Sequence, residues 1–256
     1  MQKILSAMRK AITDYQMIVP GDRVAVGISG GKDSLVLFEG LCRLRAFLDI
    51  PFSLVGITLD MGFSPRPDYG PIHSLAESHG VPYLVKDTGI GPIIFEVRQE
   101  ANPCSLCARM RRGALHDAAK EQGCNKIALG HHMDDAVETF FMNLFHEGRI
   151  GCFSPVSYLS RKELTLIRPL LYLEESQVSG CAAQQHLPVA KSRCPADGVT
   201  ARQAAKEFVS SRCREDKGFR RRIFGAIQRG QVSGFQPPAQ PGTHKGASAH
   251  KRAREK

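Results

Sequence analysis

The sequence predicts an α/β fold, a doubly wound, mostly parallel sheet with a helical extension towards its C-terminal end. Three observations carry the prediction. Short apolar runs alternate with stretches of helical periodicity. A glycine-rich turn, Ser29-Gly30-Gly31-Lys32-Asp33-Ser34, joins the first apolar run to a helix, the arrangement that cradles phosphate at a helix N-terminus. After about residue 170 the alternation stops and only helical patterns remain. A chain of 256 residues can bury one sizeable core.

Taken in order, residues 1–19 read as an N-terminal helical segment, and the nucleotide-type domain spans 20–170. Within it Val24 to Ile28, Leu54 to Leu59, Tyr83 to Val85, Lys126 to Leu129 and Leu164 to Ile167 read as strands, because each is a short apolar run bounded by turn residues. The helix after the glycine turn is marked by Leu37, Leu41, Leu44 and Leu48, which fall on one stripe. Ser29, Asp60 and His131 sit at the carboxyl ends of strands, where doubly wound sheets bind ligands. Residues 171–229 read as a helical extension, with helices over Glu174 to His186, Thr200 to Arg214 and Lys217 to Gln228. From Gly230 to 256, proline, glycine and terminal basic residues read as a disordered basic tail.

No stretch is apolar for the length a bilayer requires, and Met1-Gln2-Lys3-Ile4-Leu5 turns polar too early for a secretory signal, so the expected location is cytoplasmic, without membrane contact. In that setting eight cysteines read as metal or redox ligands where they are paired, and as small buried hydrophobes elsewhere. A formal charge of +10 and a pI near 9.4 favour a polyanionic partner.

Four local patterns carry chemistry. In the first, Ser29, Gly30, Gly31, Lys32, Asp33 and Ser34 supply backbone N–H groups, a helix N-terminus and a mobile cation, which together suit a nucleotide's phosphates. A Walker A loop is excluded, since it needs glycine where Val26 stands and Ser or Thr where Asp33 stands. In the second, Cys104 and Cys107 open a helix with the C-x-x-C spacing that puts two thiolates on one metal or cluster, with zinc, a redox dithiol, iron–sulfur and plain packing all open. In the third, Arg109, Arg112, His116 and Lys120 line the same helix at a spacing that suits RNA phosphate or a solvated face. In the fourth, Gly130-His131-His132-Met133-Asp134-Asp135 follows a strand and opens a helix with Val137, Phe140, Leu144 and Phe145 on its inner face. Asp135 and Glu138 fit a capping box, which leaves Asp134 to meet Mg²⁺ or a substrate proton and His131 as polar support.

The loop Ser29 to Ser34 resembles the S-G-G-x-D-S pyrophosphatase (PP) loop of enzymes that cleave ATP to AMP and pyrophosphate. With Cys104 and Cys107, Gly130 to Asp135 and Arg168-Pro169-Leu170 in this order, the chain over residues 20–210 resembles the tRNA 2-thiocytidine synthetases, the TtcA-like PP-loop ATP pyrophosphatases. The fold implied is that of the adenine nucleotide alpha hydrolases. The resemblance implies ATP, Mg²⁺ and a [4Fe–4S] cluster as cofactors. It implies three cysteine ligands, and Cys194 in Lys191-Ser192-Arg193-Cys194-Pro195 stands where the third is expected. Cys181, inside an amphipathic helix, is the competitor and reads as packing, as do Cys42, Cys124, Cys152 and Cys213. The pattern is incomplete, because Asp197 stands where a second downstream cysteine is usual.

The activity implied is adenylation of an anticodon-loop cytidine, position 32, followed by replacement of O2 with sulfur to give 2-thiocytidine. Ser29 to Ser34 would hold the phosphates, with Gly130 and His131 beside them and Thr58 and Asp60 flanking the adenosine. Lys32, Asp33 and Asp134 are the expected catalytic set. Partners implied are tRNA, a sulfur donor such as a cysteine desulfurase or sulfide, and a second copy of the chain as a homodimer. The competing readings are 2-thiouridine synthesis by the same chemistry, an ATP-dependent ligase or amidase with structural zinc, and a nucleotide-responsive RNA-binding protein. Uridine-modifying relatives carry added cysteine-rich zinc modules, and no such pair stands at either end here, so cytidine is the expected base.

Overall fold

A computed structural model describes residues 1–98, 103–190, 194, 201–230 and 232–238. Its centre is a six-stranded sheet in the order β3-β2-β1-β4-β6-β5. The strands are β1 (Arg23–Gly27), β2 (Ser53–Asp60), β3 (Tyr83–Asp87), β4 (Lys126–Ala128), β5 (Val156–Leu159) and β6 (Leu164–Ile167). All neighbours pair in parallel except the β5/β6 edge. β1 lies between β2, with Val24 opposite Leu54, and β4, with Val24 opposite Lys126. The chain therefore winds outwards through β2 and β3, then returns across β1 to β4. That reversal opens a crevice at the carboxyl ends of β1 and β4.

The helices are α1 (Gln2–Asp14), α2 (Lys32–Leu44), α3 (Gly70–Ser78), a single turn α4 (Ile90–Pro92) running into a π-helical segment (Ile93–Arg98), α5 (Pro103–Glu121), α6 (Met133–Glu147), α7 (Glu175–Gln184), α8 (Ala201–Glu215) and α9 (Phe219–Arg229). One apolar cluster joins Ile4, Met8 and Ile12 of α1 to Leu37 and Leu41 of α2, Val178 of α7, Val209 of α8 and Phe224 of α9. The N-terminal helix, the sheet and the C-terminal helices thus share a core, and burial on that scale dominates the favourable side of folding. The approach of α1 to α2 is close enough that a Cβ on Gly40 would stand 2.4 Å from the Met8 sulfur. Among the described residues no helix is long and apolar enough to cross a membrane.

The structure revises four details of the sequence reading. β5 joins the sheet as an antiparallel edge; its Tyr158 is 63 % exposed, so the run lacks the continuous apolar character that marks the inner strands. The capping box of α6 lies three residues earlier than expected. His132 N donates to Asp135 Oδ2 at 2.9 Å and Asp135 N donates to His132 Nδ1 at 3.4 Å, which makes His132 the cap and leaves Glu138 in the helix body. The inner face of α6 is Met133, Ala136, Val137 and Phe141, whereas Leu144 and Phe145 are 37 % and 52 % exposed. Residues 232–238, which the sequence assigns to the tail, pack instead. Val232 and Phe235 are buried, Gly151 bridges to Ser233, and Phe235 lies edge-on to Phe224. Residues 239–256 of the expected tail lie outside the described residues.

Candidate active site

The turn after β1 is tied up by its own hydroxyls. Ser29 N donates to Ser34 Oγ at 3.1 Å, Gly31 N donates to Ser29 Oγ at 3.3 Å, and Ser34 Oγ donates to the Gly31 carbonyl at 2.9 Å. Gly30 has φ +81°, a conformation that side chains rarely adopt, and Gly31 is the extended N-cap of α2. The turn thus presents the α2 N-terminus to the crevice, the position at which backbone N–H groups and helix dipole attract an anion.

The turn after β4 closes on the turn after β1. A Cβ on Gly130 would lie 3.0 Å from the Asp33 carbonyl carbon and 3.1 Å from Ser34 N, so the two loops touch through backbone. From the other side, Ala190 N donates to the Gly30 carbonyl at 2.9 Å. That bond pins the chain four residues before Cys194, and four residues span at most about 14 Å.

Lys32 and Asp33 stand at the mouth of the loop. Lys32 Nζ lies 3.2 Å from the Asp33 carboxylate and 3.1 Å from Glu175 Oε1. Burial alone would lower the lysine's pKa, but Asp33 and Glu175 outweigh it and raise it. Glu175 also accepts from Lys206 Nζ at 3.0 and 2.9 Å. Burial opposes its ionisation, yet Lys206 and Lys32 bring its pKa down to about 2. Asp33 Oδ1 is sealed from solvent and already lies 3.2 Å from the Lys32 ammonium, with no further hydrogen bond among the described residues.

Asp134 is 3 % exposed and turned inward. Its Oδ2 accepts the Glu175 backbone N–H at 2.8 Å, and its Oδ1 forms an ion pair with Arg220 Nε at 2.8 Å. Burial raises its pKa, against the Glu175 N–H and Arg220. The first turn of α7 is thus held to α6 and α9 through this carboxylate. Glu138, one turn further along α6, is 6 % exposed and its carboxyl is pushed up to about 7, first by burial and then by Asp135.

His131 is half-buried, its ring 5.1 Å from that of Phe153, and its Nδ1 has no hydrogen-bond partner among the described residues. Burial, with Arg168 adding to it, brings its pKa to about 4, so it is a neutral imidazole. Arg168 lies over Phe153 at 4.8 Å and donates to the Ser154 carbonyl. Thr58 and Asp60 are both buried. Thr58 Oγ1 donates to the Ile28 carbonyl at 2.8 Å, which braces β2 against the loop. Asp60 pairs with Arg66 at 2.8 Å and borders a cavity of about 310 Å³ with Phe63, Asp87 and Thr88.

Cys104 and Cys107 occupy the first turn of α5, with Cys107 buried against Ile90 and Ile94 and near Met61, the residue after β2. Burial raises the Cys107 thiol, Arg111 opposes that, and the Cys194 and Cys104 thiols add to it. Both other thiols therefore act on Cys107, which sits at the start of α5 beside the residue that follows β2. Among the described residues no three His, Cys, Asp or Glu side chains converge on one point as the ligands of a single ion would. Cys181, by contrast, is buried in the main core, as are Cys42 and Cys152, while Cys213 packs against it.

Sequence reasoning missed Glu175, Lys206 and Arg220, and gave Glu138 only a capping role that falls to His132 and Asp135. Their only signal is charge on helices, and the pairing of Glu175 with Lys32 spans 143 positions of chain. Of the basic stripe on α5, Arg109, Arg112 and Lys120 are exposed and His116 is half-buried.

Residues 2–205 match the PP-loop domain family. The chain is 36 % identical over 230 residues to the tRNA-cytidine(32) 2-sulfurtransferase of Geobacter metallireducens, covering 88 % of this chain and 89 % of the relative. It is 38 % identical over 230 residues to the enzyme of the same name from Syntrophotalea carbinolica, covering 88 % of each. Among solved structures it is similar in fold to the U34-tRNA thiolase NcsA from Methanococcus maripaludis with its [4Fe-4S] cluster. The TM-score is 0.72 at 24 % identity, covering 88 % of this chain and 76 % of that one.

Proposed function

The chain belongs to the PP-loop family, among the tRNA-cytidine(32) 2-sulfurtransferases, and on that premise we propose that it converts cytidine 32 of tRNA to 2-thiocytidine at the expense of ATP. The observation that carries this reading is the Ala190 to Gly30 bond, which ties the segment leading to Cys194 onto the nucleotide loop. Activation of the base and delivery of sulfur thereby share one site.

In the proposed reaction the loop Ser29 to Ser34 holds the triphosphate and Lys32 neutralises it. The cytidine O2 attacks the α-phosphorus and pyrophosphate leaves; hydrosulfide equivalent then adds at C2 and the C2–O bond breaks, releasing AMP with the original oxygen. Splitting the exchange in this way replaces a poor leaving group, oxide, with a good one. Asp33 is the carboxylate assigned to Mg²⁺, which requires its Oδ1 to part from the Lys32 ammonium 3.2 Å away. Asp134 is assigned to position the same cation or move a proton, which requires its release from Arg220. The base must leave its stack, as an unpaired anticodon-loop base can. The exposed arginines of α5 are the proposed contact for the RNA backbone, and a tRNA-modifying role suits the cytoplasm.

Cys104, Cys107 and Cys194 are the proposed ligands of a [4Fe–4S] cluster. Their soft thiolate donors are right for it, and the Cys104 and Cys194 thiols both act on Cys107. Such a cluster, if held by these three thiolates, would supply the chemistry of sulfur delivery. Sulfide or a desulfurase is the donor class, and a homodimer is the proposed assembly.

Iron, zinc and acid-labile sulfide analysis after anaerobic purification tests the cluster. Cys194→Ala should lose iron and sulfide together while Cys181→Ala keeps both; zinc without sulfide would return the ligase reading.

A further inference from the structure

Lys206 alone satisfies Glu175, reaching Oε1 at 3.0 Å and Oε2 at 2.9 Å. Its contact with Lys32 at 3.1 Å is surplus to that need. Lys32 is nonetheless the cation of the nucleotide loop, and it is held by two carboxylates, Asp33 and Glu175, at the mouth of an anion-binding turn. A carboxylate oxygen 3.1 Å from that ammonium is at the distance of a charge-assisted contact, the kind a phosphate oxygen also makes. Because Lys206 keeps both oxygens of Glu175, Lys32 can be surrendered without leaving a half-buried charge alone.

We propose that Glu175 is an internal competitor for Lys32, a carboxylate that stands in for a phosphate oxygen on the Lys32 ammonium, is displaced by ATP and returns once pyrophosphate leaves. Glu175 is thus a positioning residue: it holds the Lys32 ammonium in place and sets how tightly the loop grips the leaving pyrophosphate. Lys206 is its second anchor, drawing Glu175 back from the loop. The idea rests on the PP-loop reading of Ser29 to Ser34.

The geometry predicts a gain of binding, which loss of a merely structural ion pair would not give. Isothermal titration of inorganic pyrophosphate into the full chain, purified anaerobically, is the measurement. Glu175→Gln keeps the shape of the side chain and the backbone bond to Asp134, and should bind pyrophosphate about tenfold tighter, the scale of one charge-assisted hydrogen bond. Adding Lys32→Ala should abolish that gain. Lys206→Met leaves Glu175 on Lys32 alone and should weaken binding several-fold. Equal or weaker binding by a folded Glu175→Gln variant overturns the proposal. If that variant does not fold, Lys206→Met decides, with unchanged or tighter binding overturning it. Wild-type binding indifferent to Lys32→Ala would overturn the PP-loop reading itself, and this proposal with it.

Discussion

A methyl group at Gly130 has nowhere to go: the Asp33 carbonyl and Ser34 N are 3.0 to 3.1 Å from where it would stand, and both are backbone. Gly130→Ala must therefore push the β4 turn and the nucleotide loop apart. The expected cost is about 1–3 kcal/mol of stability together with a raised KM for ATP, read by thermal melting and by ATP titration of turnover. Unchanged values would mean that the loops do not bear on each other. Single residues such as Ser29, Lys32 and Gly130 could be singled out from the sequence because the pattern that marks them lies in their neighbours in the chain. Glu175 and Lys206 were not, because a Glu in the first turn of a helix already has a local explanation in the helix dipole, and nothing local marks its partner.

At the scale of elements, α6 carries both the cap and a buried acid. Glu138 is held at about 7, above the ordinary 4.5, so its charged form is the disfavoured one in the fold. The linkage follows from that sign. Below about pH 4.5 the residue is protonated in both states and costs nothing; stability then falls as pH rises from there to about 7, and stays lower above it. Asp135 and Asp134 oppose its charge while Arg202 and Lys206 support it. Glu138→Gln should therefore stabilise the protein near pH 8 by about 1–3 kcal/mol and leave it nearly unchanged near pH 4, as urea unfolding would show. A variant that loses stability near pH 8 would mean that the carboxylate is needed as a partner. The inner strands and α2 were readable because their apolar patterns are periodic over whole elements. The antiparallel edge strand β5 was not, for it is four residues long and partly exposed, with Ser157 and Tyr158 between its apolar ends, and the capping box was displaced because a histidine serves as cap where an aspartate was the obvious candidate.

At the scale of the molecule, a shared core gathers α1, the sheet and α7 to α9, and its far edge reaches Phe235. The Pro- and Gly-rich composition after Gly230 concealed this, since Val232 and Phe235 are isolated apolar residues whose burial depends on Phe224 and the Gly151 bridge. A chain ending at Gly230 should melt several degrees below one ending at Pro238, because it loses two buried side chains worth about 2–4 kcal/mol; equal melting points would place that segment outside the cooperative unit. At one edge of this core the nucleotide loop meets the chain leading to Cys194 through the Ala190 to Gly30 bond, a convergence that the α5 thiols are proposed to complete.

Nucleoside mass spectrometry of tRNA after incubation with the anaerobically purified protein, ATP, Mg²⁺ and sulfide tests that convergence. 2-Thiocytidine should appear at position 32, formed with AMP, and be lost when cytidine 32 is replaced by uridine. AMP without any thiolated nucleoside, or 2-thiouridine in place of 2-thiocytidine, would contradict the proposed function.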